Sequence, residues 1–153
     1  MTHLCCDVLN RLAGKTLATA ESCTGGGIGA ALTAIPGSSA VYKGGIISYT
    51  NEVKHNLLGV DDALLDEMGA VSGPVAEAMA VGAGKALNAD IAVSVTGLAG
   101  PGGDDYGNPV GRVYIGYADG KGTLHREFTF CGDRDAVRRQ AAEEALKLIL
   151  ELN

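Results

Sequence analysis

The apolar positions of this chain change their spacing several times, and the changes divide it into elements. Leu4, Val8 and Leu12 recur at helical intervals and predict a short opening helix over Thr2–Leu12. An alternating run over Thr16–Ala20 predicts a first strand, and the small residues of Gly26–Ile35 a helix after it. Pro36-Gly37-Ser38-Ser39 is a turn. Val41–Thr50 reads as a strand whose Gly44-Gly45 pair marks a bulge or a close backbone approach. Asn51 is placed to cap a short helix over Glu52–Leu58, and Asp61 another through Glu67. A longer helix runs from Ser72 to about Leu87 with Pro74 in its first turn. Its alanines and glycines lie on several faces, which predicts close packing on more than one side.

The second half changes character. Asp90–Val95 has the β-branched content of a central strand, and Gly97–Pro109 is a long loop with five glycines and two prolines. Gly111–Ala118 and Thr123–Cys131 predict a hairpin across Asp119–Gly122. Asp133 opens a last helix, with Ala141, Ala145, Leu148, Ile149 and Leu152 on one face. Strands that alternate with helices early and form a hairpin late define an α/β chain. The expected fold is a three-layer α/β/α sandwich with a mixed, mostly parallel sheet and a late antiparallel hairpin, in one domain over residues 1–153.

Composition narrows the function classes. A hydrophobic fraction of 46% over 153 residues supplies a core and excludes a disordered chain. No apolar run is long enough to span a bilayer, and Met1–Asp7 has no basic segment leading into an apolar block, so a cytoplasmic protein is expected. The net charge is −6, and the basic residues are scattered apart from Arg134, Arg138 and Arg139, which argues against nucleic-acid binding. Cys5, Cys6, Cys23 and Cys131 show no metal-ligand spacing with the three histidines, so reduced thiols and no metal are expected. Glycine is the outlier at 23 residues, clustered where backbones approach closely.

The chemistry concentrates in Leu17–Ala30. Between strand and helix lies a polar elbow, Glu21-Ser22-Cys23-Thr24-Gly25-Gly26-Gly27, at a helix start whose free N–H groups favour anions. Ser22 as a nucleophile needs a base, and Lys54 serves if burial lowers its pKa, with Tyr49 at the same strand-end rim. On spacing alone Lys54 reads as a solvated helix charge and Tyr49 as a strand residue, while Ser22 stands evenly between nucleophile and helix cap. Cys23 is a rival nucleophile without a histidine base and ranks behind Ser22. Gly25, Gly27 and Ala30 fit a dinucleotide fingerprint, with Glu52 as the ribose acid, but that signal is weak in so glycine-rich a chain. Thr96 ends a strand at a Gly-rich loop that suits a phosphate or carboxylate, although a tight turn explains it as well. Arg134 sits against the dipole of the last helix, which favours an anion ligand. Arg138 and Arg139 with Glu143 read as a solvated, ion-paired face.

Taken together, Ala18–Gly26, Pro36–Ser39, Gly45–Asn51, Gly69–Ser72, Ser94–Pro101, Pro109–Gly111 and Gly132–Arg138 resemble the C-terminal domain family of the competence/damage-inducible protein CinA. The stretches run in the family's order over nearly the whole chain, and characterised members are nicotinamide-nucleotide amidases. The resemblance implies hydrolysis of nicotinamide mononucleotide to nicotinic acid mononucleotide and ammonia, in pyridine-nucleotide recycling and without a cofactor. It implies Ser22 as nucleophile, Lys54 as base and Tyr49 as proton donor or orienter. Thr24, Gly25 and Gly26 would lie about the oxyanion, Thr96, Gly97, Ala99 and Gly100 about the substrate, and Arg134 at its phosphate. The small-molecule pyridine nucleotide is the expected partner, with no nucleic acid or membrane, in a homo-oligomer of the stand-alone form. Gly73 departs from the acidic residue usual after Val-Ser, and Gly27 from a larger side chain; both would enlarge the pocket. The rivals are a nucleotide-binding module without catalysis and a hydrolase of another amide using Cys23.

Overall fold

The computed structural model describes residues 1–153. Its elements are α1 (Thr2–Arg11), β1 (Leu17–Glu21), α2 (Gly27–Thr33), a 3-10 turn (Ser38–Ala40), β2 (Tyr42–Ile47), α3 (Asn51–Leu58) and α4 (Asp62–Met68). There follow α5 (Gly73–Leu87), β3 (Ile91–Gly97), β4 (Arg112–Asp119), β5 (Gly122–Thr129) and α6 (Arg134–Leu152). The strands form one sheet in the order β2-β1-β3-β4-β5. The first three are parallel and the last two join as an antiparallel hairpin, as the sequence predicts.

Two apolar layers cover the sheet. On one face Leu17, Val93, Val95 and Ile115 pack with Val8 and Leu12 of α1, Ile28 and Leu32 of α2, and Leu146 and Ile149 of α6. On the other, Ala18, Ala20, Ala92 and Ala118 meet Val75, Met79, Ala80 and Ala83 of α5, flanked by Leu58, Val60 and Leu65. Small residues on that face bring α5 close. A side chain at Gly116 would strike the Ala76 carbonyl, and one at Gly82 the Leu58 backbone. The alanine- and glycine-rich helix thus packs on two sides at once, against the sheet and against α3. No helix is long and apolar enough to cross a membrane.

Several boundaries shift for local reasons. The Thr16 N–H and hydroxyl both donate to Asp90 (2.8 and 3.0 Å), so Thr16 precedes the strand, and Glu21 extends it. The register of β1 on β2 slips between Leu17–Tyr42 and Ala18–Gly44, leaving Lys43 as the extra residue of a bulge. β2 ends at Ile47, which frees Ser48, Tyr49 and Thr50 as a connection. The cap of α3 is Thr50 and not Asn51, its hydroxyl accepting the Val53 N–H at 3.3 Å.

The β1–β2 crossover passes over one face through α2, and the β2–β3 crossover over the other through α3, α4 and α5. The carboxyl ends of neighbouring β1 and β3 therefore open a crevice at the point where the chain changes faces, the usual place for a ligand in an open α/β sheet.

Candidate active site

Ser22 leaves β1 directly, its N–H held by the Val95 carbonyl of β3 at 2.9 Å. Lys54 and Leu58, one turn apart on α3, both point inward, and Lys54 is 1% exposed. The Lys54 Nζ donates to Ser22 Oγ (3.0 Å) and to the Ser48 carbonyl (2.8 Å), with the Tyr49 carbonyl at 3.5 Å. No carboxylate is ion-paired with it. Burial of an amine without a counter-charge disfavours its protonated form, and the Lys54 pKa falls to about 8. A deprotonated lysine beside a buried hydroxyl can take its proton.

The elbow is braced from both sides. The Glu21 carboxylate accepts from the Ile28 and Gly29 N–H groups (2.9 and 3.0 Å) and from the Thr24 hydroxyl (2.8 Å). Arg138 donates to the Cys23 and Thr24 carbonyls (3.0 and 3.3 Å). Two expectations are corrected here. The start of α2 is no open anion site, because Glu21 already occupies it, and Ser22 does not cap it, since the capping position is Gly26. The dinucleotide reading falls with this, and its ribose acid, Glu52, is exposed on α3. Arg138 faces the elbow and not solvent ion pairs alone. Its signal was the spacing of Arg134 and Arg138, which puts two like charges on one helix face where an ion-paired surface favours alternation. Glu21 could have been found from the absence of a side-chain cap at Gly26. Cys23 is buried, and burial pushes its thiol up to about 11, with Arg138 and Lys54 only partly offsetting this.

Ser22 and Lys54 open into a cavity of about 580 Å³, also lined by Tyr49, Thr96, Gly97, Ala99, Gly100 and Arg134. Thr24, Gly25 and Gly26 do not line it. Thr96 donates its hydroxyl to the Ala70 carbonyl (2.8 Å), tying β3 to the segment before α5. Tyr49 is 60% exposed at the mouth, and its phenol oxygen accepts from Arg134 Nη2 at 3.2 Å. Arg134 Nη1 donates to the Gly100 carbonyl at 2.7 Å, leaving its other donors for a ligand. The long loop is anchored: Asp104 accepts from the Tyr106 and Asn108 N–H groups, Asn108 donates to the Val71 carbonyl, and Tyr106 to that of Asp66. Neither departure from the family pattern opens this cavity. Gly73 makes room for the His125 ring, which bonds Glu77 at 2.6 Å, and Gly27 faces open space. A larger cavity of about 950 Å³ lies at the opposite end of the sheet, about Lys15, Lys85 and Lys121, away from Ser22.

An open α/β sheet with a hydroxyl, a buried amine and a guanidinium about a cavity at its switch point defines an α/β fold whose candidate small-molecule site lies at the carboxyl ends of its strands. The chain belongs to the CinA C-terminal domain family, whose model matches residues 3–153. It is 48% identical over 137 residues to the nicotinamide-nucleotide amidohydrolase PncC of Escherichia coli K12, covering 89% of this chain and 83% of that protein. It is 53% identical over 134 residues to a CinA-like protein of Cyanothece sp., covering 86% of this chain but only 32% of that longer relative. Among solved structures, competence damage-inducible protein A of Klebsiella pneumoniae superposes with a TM-score of 0.96 at 36% identity, covering 98% of this chain and 94% of that one. The competence/damage-inducible protein of Agrobacterium tumefaciens gives 0.95 at 40% identity, covering 99% and 94%.

Proposed function

We propose that this protein hydrolyses the carboxamide of a nicotinamide nucleotide, converting nicotinamide mononucleotide to nicotinic acid mononucleotide and ammonia. The observation that carries this reading is the 3.0 Å contact between Ser22 Oγ and an unpaired, buried Lys54. The substrate class is supported by the E. coli relative's name. Ser22 Oγ attacks the amide carbon while the neutral Lys54 amine takes the hydroxyl proton, giving a tetrahedral oxyanion and an ammonium on Lys54. The Lys54 ammonium then protonates the departing nitrogen, so ammonia leaves and an acyl-Ser22 ester remains. Water attacks that ester, Lys54 again takes a proton, and returns it to Ser22 as the acid is released.

The developing oxyanion needs donors already in place. Neither Cys23 N–H, on a residue that lines the cavity, nor the adjoining Thr24 N–H has an acceptor within the chain. Unpaired N–H groups on buried residues are uncommon and suit this task. Arg134 is the residue for the substrate phosphate, with Tyr49 held against it as an orienter at the mouth. We assign the protein to pyridine-nucleotide recycling in the cytoplasm, as a homo-oligomer.

The test is ammonia release from nicotinamide mononucleotide by wild type and Ser22→Ala, with nucleotide binding measured on both. Release by wild type alone, with binding kept in the variant, is the expected result. Binding without release by either would leave a nucleotide-binding module.

A further inference from the structure

Glu21 is 2% exposed, and no lysine, arginine or histidine is paired with it. Four donors surround its carboxylate instead. Thr24 Oγ1 and Ile28 N–H serve Oε1 at 2.8 and 2.9 Å, while Gly29 N–H and Thr19 Oγ1 serve Oε2 at 3.0 and 3.3 Å. Thr19 in turn meets the Tyr42 hydroxyl at 2.7 Å. Two glycines make room for this network. A side chain on Gly29 would strike the Tyr42 hydroxyl, and one on Gly45 would strike both Thr19 and Tyr42. Apolar groups of similar volume commonly stabilise a core as well as buried charges do. A carboxylate kept here with its own donors and clearances therefore has a positional task.

That task is visible in the chain direction. Glu21 and Ser22 are consecutive, so their side chains leave the strand on opposite faces, Glu21 toward α2 and Ser22 toward Lys54. Through Thr24, Glu21 fixes the turn that Gly25 N–H and Gly27 N–H close on the Ser22 and Thr24 carbonyls (3.0 and 2.9 Å). Arg138 draws the Cys23 carbonyl the other way. In a trans peptide the carbonyl and the next N–H point in opposite directions, so Thr24 N–H is turned away from Arg138.

We propose that Glu21 is a positioning residue for the nucleophile, an internal anion that holds the start of α2 and, through Thr24, aligns Ser22 Oγ and the elbow N–H groups for attack on the amide. This rests on the serine-hydrolase reading above. The experiment measures kcat and KM for ammonia release, melting temperature, and the rate at which a fluorophosphonate labels Ser22. The last readout needs nucleophile and oxyanion donors but not a nicotinamide. Glu21→Gln and Thr24→Val are expected to lower kcat and labelling at least about 10-fold with KM within about 2-fold. The double variant is no slower than the worse single one, and Thr24→Ser restores the rate. Thr19→Val, on the outer side of the same carboxylate, lowers the melting temperature and leaves labelling near wild type. Wild-type rates in Glu21→Gln, or rates that track melting temperature across all these variants, overturn the proposal. If wild type is labelled but releases no ammonia, the choice of amide fails and the labelling rates still decide for or against Glu21. If wild type is not labelled, the serine reading fails and this inference fails with it.

Discussion

Lys54 Nζ stands 3.0 Å from Ser22 Oγ across 32 residues of sequence, and the chain supplies no carboxylate to neutralise it. Desolvation is the main cause of its low pKa, so the same burial that makes the amine a usable base also sets the pH at which it works. With a pKa of about 8, only about a tenth of the enzyme carries the free amine at pH 7. The value of kcat/KM is expected to rise about 10-fold per pH unit below pH 7 and to level off above pH 8. Lys54→Met should lower kcat by about 100-fold or more and remove this limb. A pH profile flat from 6 to 9 in wild type would rule Lys54 out as the base.

The same shift links stability to pH. The folded-state pKa lies below the ordinary lysine value of 10.5, so between pH 8 and 10.5 the unfolded chain binds more protons than the folded one. Stability contributed by this site therefore rises with pH through that window, by roughly 3 kcal/mol in total. Lys54→Met lacks the effect. The difference in unfolding free energy, wild type minus variant, is expected to grow as pH increases from 7 to 10. Cys23, whose raised pKa makes the folded chain the better proton binder between pH 9 and 11, contributes in the opposite direction and feels the Lys54 charge, so the comparison is made in a Cys23→Ser background. A constant difference in chemical denaturation across this range would contradict the buried, unpaired amine.

How far the sequence reveals this arrangement depends on the range of the interactions. Element order was legible because the apolar period changes at each boundary, and the Gly44-Gly45 pair pointed to the irregularity in β2, whose extra residue is the adjacent Lys43. The cap at Thr50 was missed by one residue, since Thr50 and Asn51 are both suitable caps. Lys54 read as solvated because a single lysine on a short helix usually is. Its spacing of four from Leu58 was the available sign that it shares the buried face. The guanidinium of Arg138 on the Cys23 carbonyl joins residues 115 apart, so the like-charged spacing of Arg134 and Arg138 marks the arginine but not its partner.

Cys23 offers a direct check on which atom reacts. Burial holds its thiol near pKa 11, so almost none is thiolate at neutral pH, and the thiolate is the reactive form. Cys23→Ser is expected to keep ammonia release within about 3-fold of wild type. Iodoacetamide at pH 7.5 is expected to modify exposed Cys131 while sparing both Cys23 and activity. Loss of activity in step with Cys23 alkylation, followed by mass spectrometry, would transfer the nucleophile to sulfur.

Arg134 and Tyr49 share one hydrogen bond at the cavity mouth, yet their substitutions should separate kinetically. Arg134→Ala removes the cation that is free to meet a phosphate, so KM should rise about 10-fold or more, with a smaller change in kcat. The loss should shrink for nicotinamide riboside, which has no phosphate. Tyr49→Phe keeps the ring and removes only the hydroxyl, so KM should change less than in Arg134→Ala. Equal losses for mononucleotide and riboside in Arg134→Ala would mean that the guanidinium holds the loop through Gly100 and does not bind phosphate.

The last prediction concerns the support of Lys54. Gly82 faces the backbone of Leu58, the last residue of α3, and a methyl there would strike the Leu58 carbonyl. A backbone atom cannot swing aside as a side-chain tip can, so α3 must shift as a unit. In an ordinary helix interior Gly→Ala stabilises by about 1 kcal/mol. Here overpacking should outweigh that gain and destabilise by about 1–3 kcal/mol. Because α3 carries Lys54 four residues before Leu58, the shift should also move Nζ from Ser22 and lower kcat. Gly84→Ala on the same helix is the control, since its methyl meets only ordinary contacts and should be neutral or stabilising. Denaturation midpoints and kcat on the two variants test both effects. A stabilised, fully active Gly82→Ala would show that the close contact between α3 and α5 does not hold the base in place.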